Sequence, residues 1–246
     1  MRTALAKRII IFVLMIMTDF TGLKWEDSDM QIIYQLAKRS VVRIEVKEFA
    51  GNGVIWKIDD DNVIICSNRH LLMHDVEAEV TFCDKEKVKA QILGYSQQYD
   101  LGFLKINISE LPTGVFRDIY EVVPVIYDFY KEEDIDEFLK EYENKTILQL
   151  GAGALNDDKY DLNTGTVDSV RFEPVFNTKV IVTCCYSKAG MSGSGLFDEG
   201  GRFLGIVSGG DVSKEASVKE ADYTFSIPSS IILDEYDIIL EEKELH

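Results

Sequence analysis

Short runs of β-branched and aliphatic residues recur along this chain in two series, and they constrain its fold more than any other feature. The first series occupies residues 41–46, 54–58, 63–66, 76–82 and 88–93; the second occupies 147–150, 180–184, 203–207 and 223–227. Polar segments such as 59–62 and 156–159 separate the runs. β-branched side chains lose rotamer freedom in a helix and pack well on a pleated surface. Runs this short, broken by turn residues, therefore predict consecutive antiparallel strands. At 246 residues the chain can bury a large core as one unit. Two segments depart from the pattern. Residues 131–145 place Ile135, Phe138, Leu139 and Tyr142 at i, i+3, i+4 and i+7, the spacing of an amphipathic helix. The carboxylates there, Glu132, Glu133, Asp134, Asp136 and Glu137, read as a solvated helix face, because their spacing does not match a calcium loop. A second helix is expected over residues 231–240.

Chemistry-bearing residues fall in three places. Gly190-Met191-Ser192-Gly193-Ser194-Gly195 is a glycine-rich turn around a serine. A serine hydroxyl is a weak nucleophile; it needs an imidazole to take its proton, a carboxylate to orient that imidazole, and backbone N–H donors at the developing oxyanion. Flanking glycines let a backbone take such a turn. The chain has three histidines, His70, His74 and His246. His246 is terminal, and His74, followed by Asp75, reads as a surface residue. His70 follows the apolar run 63–66, so it sits just past a buried strand, where capping that strand is the plainer role. Asp100 opens Asp100-Leu101-Gly102-Phe103-Leu104-Lys105.

These motifs, taken in order, resemble the chymotrypsin-fold serine proteases, and among them the bacterial trypsin-like group that includes the HtrA-type and glutamyl endopeptidases. The resemblance runs from about residue 37 to 232. Ser40-Val41-Val42-Arg43-Ile44 resembles the opening strand, Gly51-Asn52-Gly53-Val54-Ile55 a Gly-x-Gly hairpin strand, and Asn68-Arg69-His70 an Asn-x-His motif. Gly165-Thr166-Val167, Gly205-Ile206-Val207-Ser208-Gly209 and Phe225-Ser226-Ile227-Pro228 are similar to later strands. The resemblance implies an all-β fold of two antiparallel six-stranded β-barrels, the first over about 37–125 and the second over about 146–232, with an inserted helix and a C-terminal helix. It implies a serine endopeptidase acting without cofactor or metal on protein or peptide substrates. His70 would be the general base, Asp100 its orienting carboxylate and Ser192 the nucleophile, with the N–H groups of Gly190 and Ser192 as oxyanion donors. Ser194 is nearby, but register with the family favours Ser192.

The chain also departs from the family's pattern. Met191 stands where family members usually carry Asp or Asn, which implies an oxyanion turn that is looser or depends on a ligand. By register, Tyr186 lies at the base of the specificity pocket, with Ser208, Gly209 and Gly210 as a wall; the alternative for Tyr186 is a packed aromatic at a strand end. An Arg or Lys preference has no support, since the pocket has no acid at Tyr186, and a small or medium apolar residue is the expectation. Asp211 reads as a turn acid. The PDZ domain that often follows in HtrA-type proteins is not expected after the second helix. The competing reading is an inactive trypsin-fold module that binds extended peptides by strand addition near Ser208 to Gly210. An α/β-hydrolase esterase is a third, disfavoured because its nucleophile precedes its acid and histidine.

Arg2, Lys7 and Arg8 precede the apolar run 9–17, the arrangement of a secretory signal peptide over about 1–22. Asp19 interrupts the run, so it is short for a membrane span. Cleavage near Gly22 and retention as an N-terminal anchor both remain open, and either implies an exported protein, secreted or held at the cell surface, with residues 23–246 as the protease domain. A net charge of −17 repels nucleic acid and anionic membrane, so neither is expected as a partner. Cys66, Cys83, Cys184 and Cys185 form neither a clear disulfide framework nor a zinc spacing; adjacent Cys184 and Cys185 would face opposite sides of a strand.

Overall fold

Alternation at two of the strands and its absence at a third explain how the chain builds two packed layers. In a computed structural model that describes residues 25–59, 61–120, 134–152, 160–210 and 220–244, strands β1 (Val41–Val46), β2 (Phe49–Ile58), β3 (Asn62–Ser67), β4 (Glu77–Thr81), β5 (Lys87–Tyr95) and β6 (Gly102–Asn107) close into a six-stranded barrel. Its order is β1-β2-β3-β6-β5-β4, closed by β1 pairing with β4. In β4 and β5 buried and exposed residues alternate, so one face meets solvent. In β3 five consecutive residues are buried. Val63 and Ile65 point into the barrel with Val42, Ile44, Val80 and Leu104. Ile64 and Cys66 point out of it, against Leu148, Phe197, Phe203 and Ile206 of the second layer.

That second layer holds β7 (Ile147–Ala152), β8 (Tyr160–Gly165), β9 (Val167–Glu173), β10 (Thr178–Thr183), β12 (Gly195–Asp198), β13 (Phe203–Gly210) and β15 (Thr224–Pro228). They form a seven-stranded antiparallel sheet in the order β8-β7-β12-β13-β15-β10-β9, where the sequence implied a six-stranded barrel. The additional strand has a simple origin. β8 and β9 lie at opposite ends of the sheet yet are separated only by Thr166, so one run of chain bends and serves both edges. At that bend the Thr166 carbonyl accepts the Cys184 N–H at 3.0 Å. A two-stranded ribbon, β11 (Ser187–Lys188) with β14 (Glu220–Ala221), stands beside the sheet.

Helices fill the flanks. α1 (Trp25–Ser40), which the strand pattern did not anticipate, sends Ile33, Tyr34 and Ala37 to the cluster between the layers. The short α2 (Arg69–Leu72) follows β3, and α3 (Thr113–Tyr120) puts Val115 and Ile119 against the barrel interior. The helix expected over 131–145 is observed as α4 (Ile135–Glu141); residues 131–133 lie outside the described residues. Its Phe138, with Tyr142, is buried against Ile147, Ile181, Leu196 and Leu204. Its carboxylates are solvated except Glu141, which pairs with Arg202 at 2.7 Å. Arg202 and the Tyr142 hydroxyl both donate to the buried Asp198, at 2.6 and 3.1 Å. α5 (Ser229–Glu244) extends the expected C-terminal helix and spans both layers: Ile231, Ile232, Tyr236 and Ile239 are buried in the cluster between them. Tyr236 meets Phe103 of the barrel edge-on at 5.1 Å. Among the described residues no helix is long and apolar enough to cross a membrane. The segments expected as a signal peptide (1–22) and as a turn (156–159), and the residues Asp211 and His246, lie outside the described residues.

Candidate active site

His70 enters the cleft because β3 ends at Ser67 and the chain turns at once into α2. The His70 N–H donates to Asp100 Oδ1 at 2.9 Å. Its ring Nδ1 lies 2.8 Å from Oδ2 and 3.0 Å from Oδ1 of the same carboxylate. One residue therefore engages Asp100 through both backbone and ring, and Nε2 is left facing away from the acid. The loop carrying Asp100 is held by Ser96, whose hydroxyl accepts the N–H groups of Gln98 and Tyr99 and whose own N–H donates to Leu101. Arg69 clasps the same loop through the carbonyls of Ser96 and Gln97. Asn68 donates its side-chain amide to the Asp100 carbonyl at 3.1 Å and to the Ser208 hydroxyl of β13 at 2.7 Å. Behind the acid sits Cys66, whose thiol is pushed well up by burial and further by the negative charge of Asp100, so it stays an inert thiol.

Ser192 lies on a turn between β11 and β12, with Gly190 at φ +90° and Gly193 at φ +80°. A side chain at residue 193 would collide with the Asn52 carbonyl, so only glycine fits there. The turn is closed by Met191 N–H to Lys188 O at 3.2 Å and Ser194 N–H to Met191 O at 3.0 Å. Gly193 and Ser194 are tied into β13 through Val207, at 2.8 and 2.9 Å. Among the described residues no acceptor is bonded to the N–H of Gly190 or of Ser192. The Ser192 carbonyl accepts the Asn52 N–H at 2.7 Å. A Cβ built on Gly51 would lie 2.9 Å from that carbonyl and 3.0 Å from Leu71, the residue after His70. The turn of Ser192 and the helix of His70 thus abut the same point of β2.

The two serines of the turn are not equivalent. Ser192 is partly exposed, whereas Ser194 is fully buried, its hydroxyl pressed against Gly151 of β7 and accepting from Asn52 at 3.2 Å. Met191 is buried too, and its Sδ receives two side-chain amides, Gln149 Nε2 and Asn163 Nδ2, each at 3.7 Å. A thioether is a weak acceptor. This anchored side chain contrasts with the looser turn that Met191 suggested in the sequence.

The expected specificity residues take different environments. Tyr186, at the exit of β10, keeps 39 % of its surface exposed, and its carbonyl accepts Gln149 Nε2 at 3.0 Å. Ser208 is buried with its hydroxyl on Asn68. Gly209 and Gly210 pair with Phe225 and Thr224 of β15 after a bulge, and the Phe176 ring stands 2.9 Å from where a Cβ on Gly209 would be. His74 is a surface residue stacked on Phe49 at 3.9 Å. Cys185 is buried and its thiol is pushed up to about 11, chiefly by burial, while Cys184 is exposed. The four cysteines are free, and among the described residues no cluster suited to a metal ion occurs. Three contributors went unrecognised in the sequence: Asn52, Gln149 and Asn163. The signal for Asn52 was there, a polar side chain between two glycines of a buried strand; Gln149 and Asn163 carried none.

Comparison with known proteins agrees with this architecture. The HtrA-type protease AlgW with a bound tripeptide superposes with a TM-score of 0.67 at 20 % identity, over 86 % of this chain and 63 % of that structure. This chain therefore spans somewhat under two thirds of the AlgW structure's length. The inactive form of the Rv3671c protease, a protein of M. tuberculosis H37Rv, superposes with a TM-score of 0.63 at 16 % identity, over 84 % and 92 %. These likenesses show the chymotrypsin-like fold. No curated protein sequence is significantly similar to the chain. A family model described as the trypsin-like peptidase domain matches residues 51–206, more than half of the chain and the whole stretch from Asn52 to Ser192, and the chain belongs to that family of serine-type endopeptidases.

Proposed function

We propose that this chain hydrolyses peptide bonds with Ser192 as nucleophile, His70 as general base and Asp100 as the carboxylate that orients the base. The observation that carries the reading is the two-pronged engagement of Asp100 by the His70 N–H and Nδ1, in a helix that abuts the Ser192 turn. With Nδ1–H committed to Asp100, Nε2 is the nitrogen that accepts the Ser192 Oγ proton as Oγ attacks the scissile carbonyl. The same proton then passes to the leaving amine, which departs from an acyl-enzyme. Water, deprotonated by His70 in turn, releases the acyl group and restores Ser192 Oγ–H. The N–H groups of Gly190 and Ser192, which have no acceptor among the described residues, are the donors for the oxyanion of each tetrahedral intermediate.

The substrate is an extended peptide. Gly209 and Gly210 are paired only with β15 among the described residues, so their other edge is open to an added strand beside Ser192. AlgW has been crystallised with a tripeptide and with a decapeptide, which supports a peptide as the class of substrate. Export follows from the basic and apolar start of the chain; sequencing the mature N-terminus should place it near residue 23.

The decisive experiment exposes the purified protein to a fluorophosphonate probe, with Ser192→Ala and His70→Ala as controls. Labelling that both substitutions abolish is the expected result. A folded protein that takes no label would overturn the enzyme reading and leave a peptide-binding module.

A further inference from the structure

Asn52 belongs to the barrel that carries His70 and Asp100, yet its side-chain amide and its backbone N–H both reach the turn that carries Ser192. It is fully buried in β2, opposite Arg43 of β1. Its carbonyl accepts the Ser67 hydroxyl at 2.6 Å, and Ser67 is the last residue of β3, three before His70. The residue is therefore rooted beside the base. From that root its side-chain Nδ2 donates to the Gly190 carbonyl at 2.9 Å and to Ser194 Oγ at 3.2 Å, with the Ser192 carbonyl at 3.4 Å. Its backbone N–H takes the Ser192 carbonyl at 2.7 Å.

We infer that the Asn52 carboxamide is a positioning residue for the oxyanion donors, a clamp from the first barrel that fixes the Gly190–Met191 peptide; the inference rests on the proposed hydrolase function. The argument is conformational. Gly190 sits at φ +90°, where glycine is freest and its peptides rotate with little steric resistance. The two N–H groups assigned to the oxyanion flank the Gly190–Met191 peptide, one on Gly190 and the other on Ser192. If that peptide turns, the two donors diverge. Two contacts oppose the rotation: within the turn the Met191 N–H donates to the Lys188 carbonyl at 3.2 Å, and from the first barrel Asn52 Nδ2 donates to the Gly190 carbonyl, a part-buried bond whose loss leaves that acceptor without its side-chain donor. Because the bond originates in the other barrel, it also sets the register of the donors relative to His70.

The test uses the full chain with Asn52→Ala, which removes the donor, and Asn52→Asp, which keeps the shape but replaces the amide donor with acceptor oxygens. Three properties are measured: thermal unfolding, kcat and KM on a peptide ester across neutral pH, and ¹⁵N relaxation of the Gly190 and Ser192 amides. Losing one oxyanion donor outright typically lowers kcat about 10²- to 10³-fold. An indirect loss should lower it about 10- to 100-fold, with KM within about twofold, since the interaction matters in the transition state. In Asn52→Ala the pH profile should keep its wild-type shape, because neither the lost amide nor the carbonyl it holds titrates. The Gly190 and Ser192 amides should gain exchange broadening in both variants. Unchanged kcat in a folded Asn52→Ala protein, a rise in KM alone, or amides as ordered as in the wild type would overturn the inference. Unfolding of both variants would overturn it as well, in favour of a purely structural role. The relaxation readout does not depend on turnover. A wild type that takes no fluorophosphonate label, with a turn that still loosens on Asn52→Ala, would sink the hydrolase reading and keep the clamp.

Discussion

Asn68, the residue after β3, donates one side-chain amide to Ser208 across the cleft at 2.7 Å and to the Asp100 carbonyl at 3.1 Å. The backbone of Asp100 is thereby tied to a strand of the opposite layer. Asn68 Oδ1 has no partner among the described residues, so its donor bonds alone hold it in place. Ser208→Ala should therefore destabilise the protein by about 1 kcal/mol, the ordinary net value of a buried hydrogen bond. It should also lower kcat several-fold by loosening Asp100. Denaturant unfolding beside steady-state kinetics measures both.

Asp100→Asn should leave the fold intact and lower kcat about 10⁴-fold, because an amide at Nδ1 favours the tautomer whose Nε2 already carries a proton. Calorimetry and burst kinetics on an ester substrate would test this together. A loss of less than about tenfold would remove Asp100 from the mechanism.

Ser194→Ala should keep fluorophosphonate labelling, and Ser192→Ala should lose it. Gly151→Ala places a methyl group on the Ser194 hydroxyl and 3.0 Å from Asn52 Nδ2. Overpacking of this kind destabilises by roughly 1–3 kcal/mol. The double variant with Ser194→Ala removes the worst collision, so its unfolding free energy should exceed the sum of the single effects by a measurable coupling.

Burial first, and then the negative charge of Asp198, hold the Tyr142 phenol well above its usual value of 10.0. A group whose folded pKa is raised contributes stability that is complete below the unfolded value and is lost as pH climbs past it. Wild-type stability should therefore fall as pH rises beyond about 10, through this group among others. Tyr142→Phe should flatten that alkaline limb while losing about 1 kcal/mol at neutral pH, where its bond to Asp198 is removed. Urea titrations at neutral and alkaline pH compare the two slopes.

What could be read from the sequence followed local periodicity. The strands β1 and β3, the helix carrying Phe138 and Tyr142, and the helix carrying Ile231 and Tyr236 all fell where the pattern of apolar residues put them, within a few residues. α1 escaped because, among its described side chains, only Ile33, Tyr34 and Ala37 join the core cluster between the layers, too narrow a stripe to stand out. The bend at Thr166 escaped because the resemblance over Gly165-Thr166-Val167 implies one strand and carries no sign of the bend by which it serves two sheet edges. The residues proposed for the site were read one by one from motif resemblance. The contacts that hold them were not, since Asn52 to Gly190 and Asn68 to Ser208 join positions 138 and 140 residues apart. Sequence spacing carries no trace of a bond between residues brought together by two separate layers.

Those same separations bear on how the molecule comes to life. Several pairings of the first layer, β1 to β2, β2 to β3 and β4 to β5 among them, join strands adjacent in sequence, whereas the seam bonds close very long loops. Loops of that length form late, after the local pairings have already reduced the search. During refolding, the strand and helix signals in circular dichroism should therefore recover first. Reactivity of Ser192 should lag behind them as a separate, slower phase, so that newly made protein passes through an interval in which it is structured yet still harmless to its neighbours.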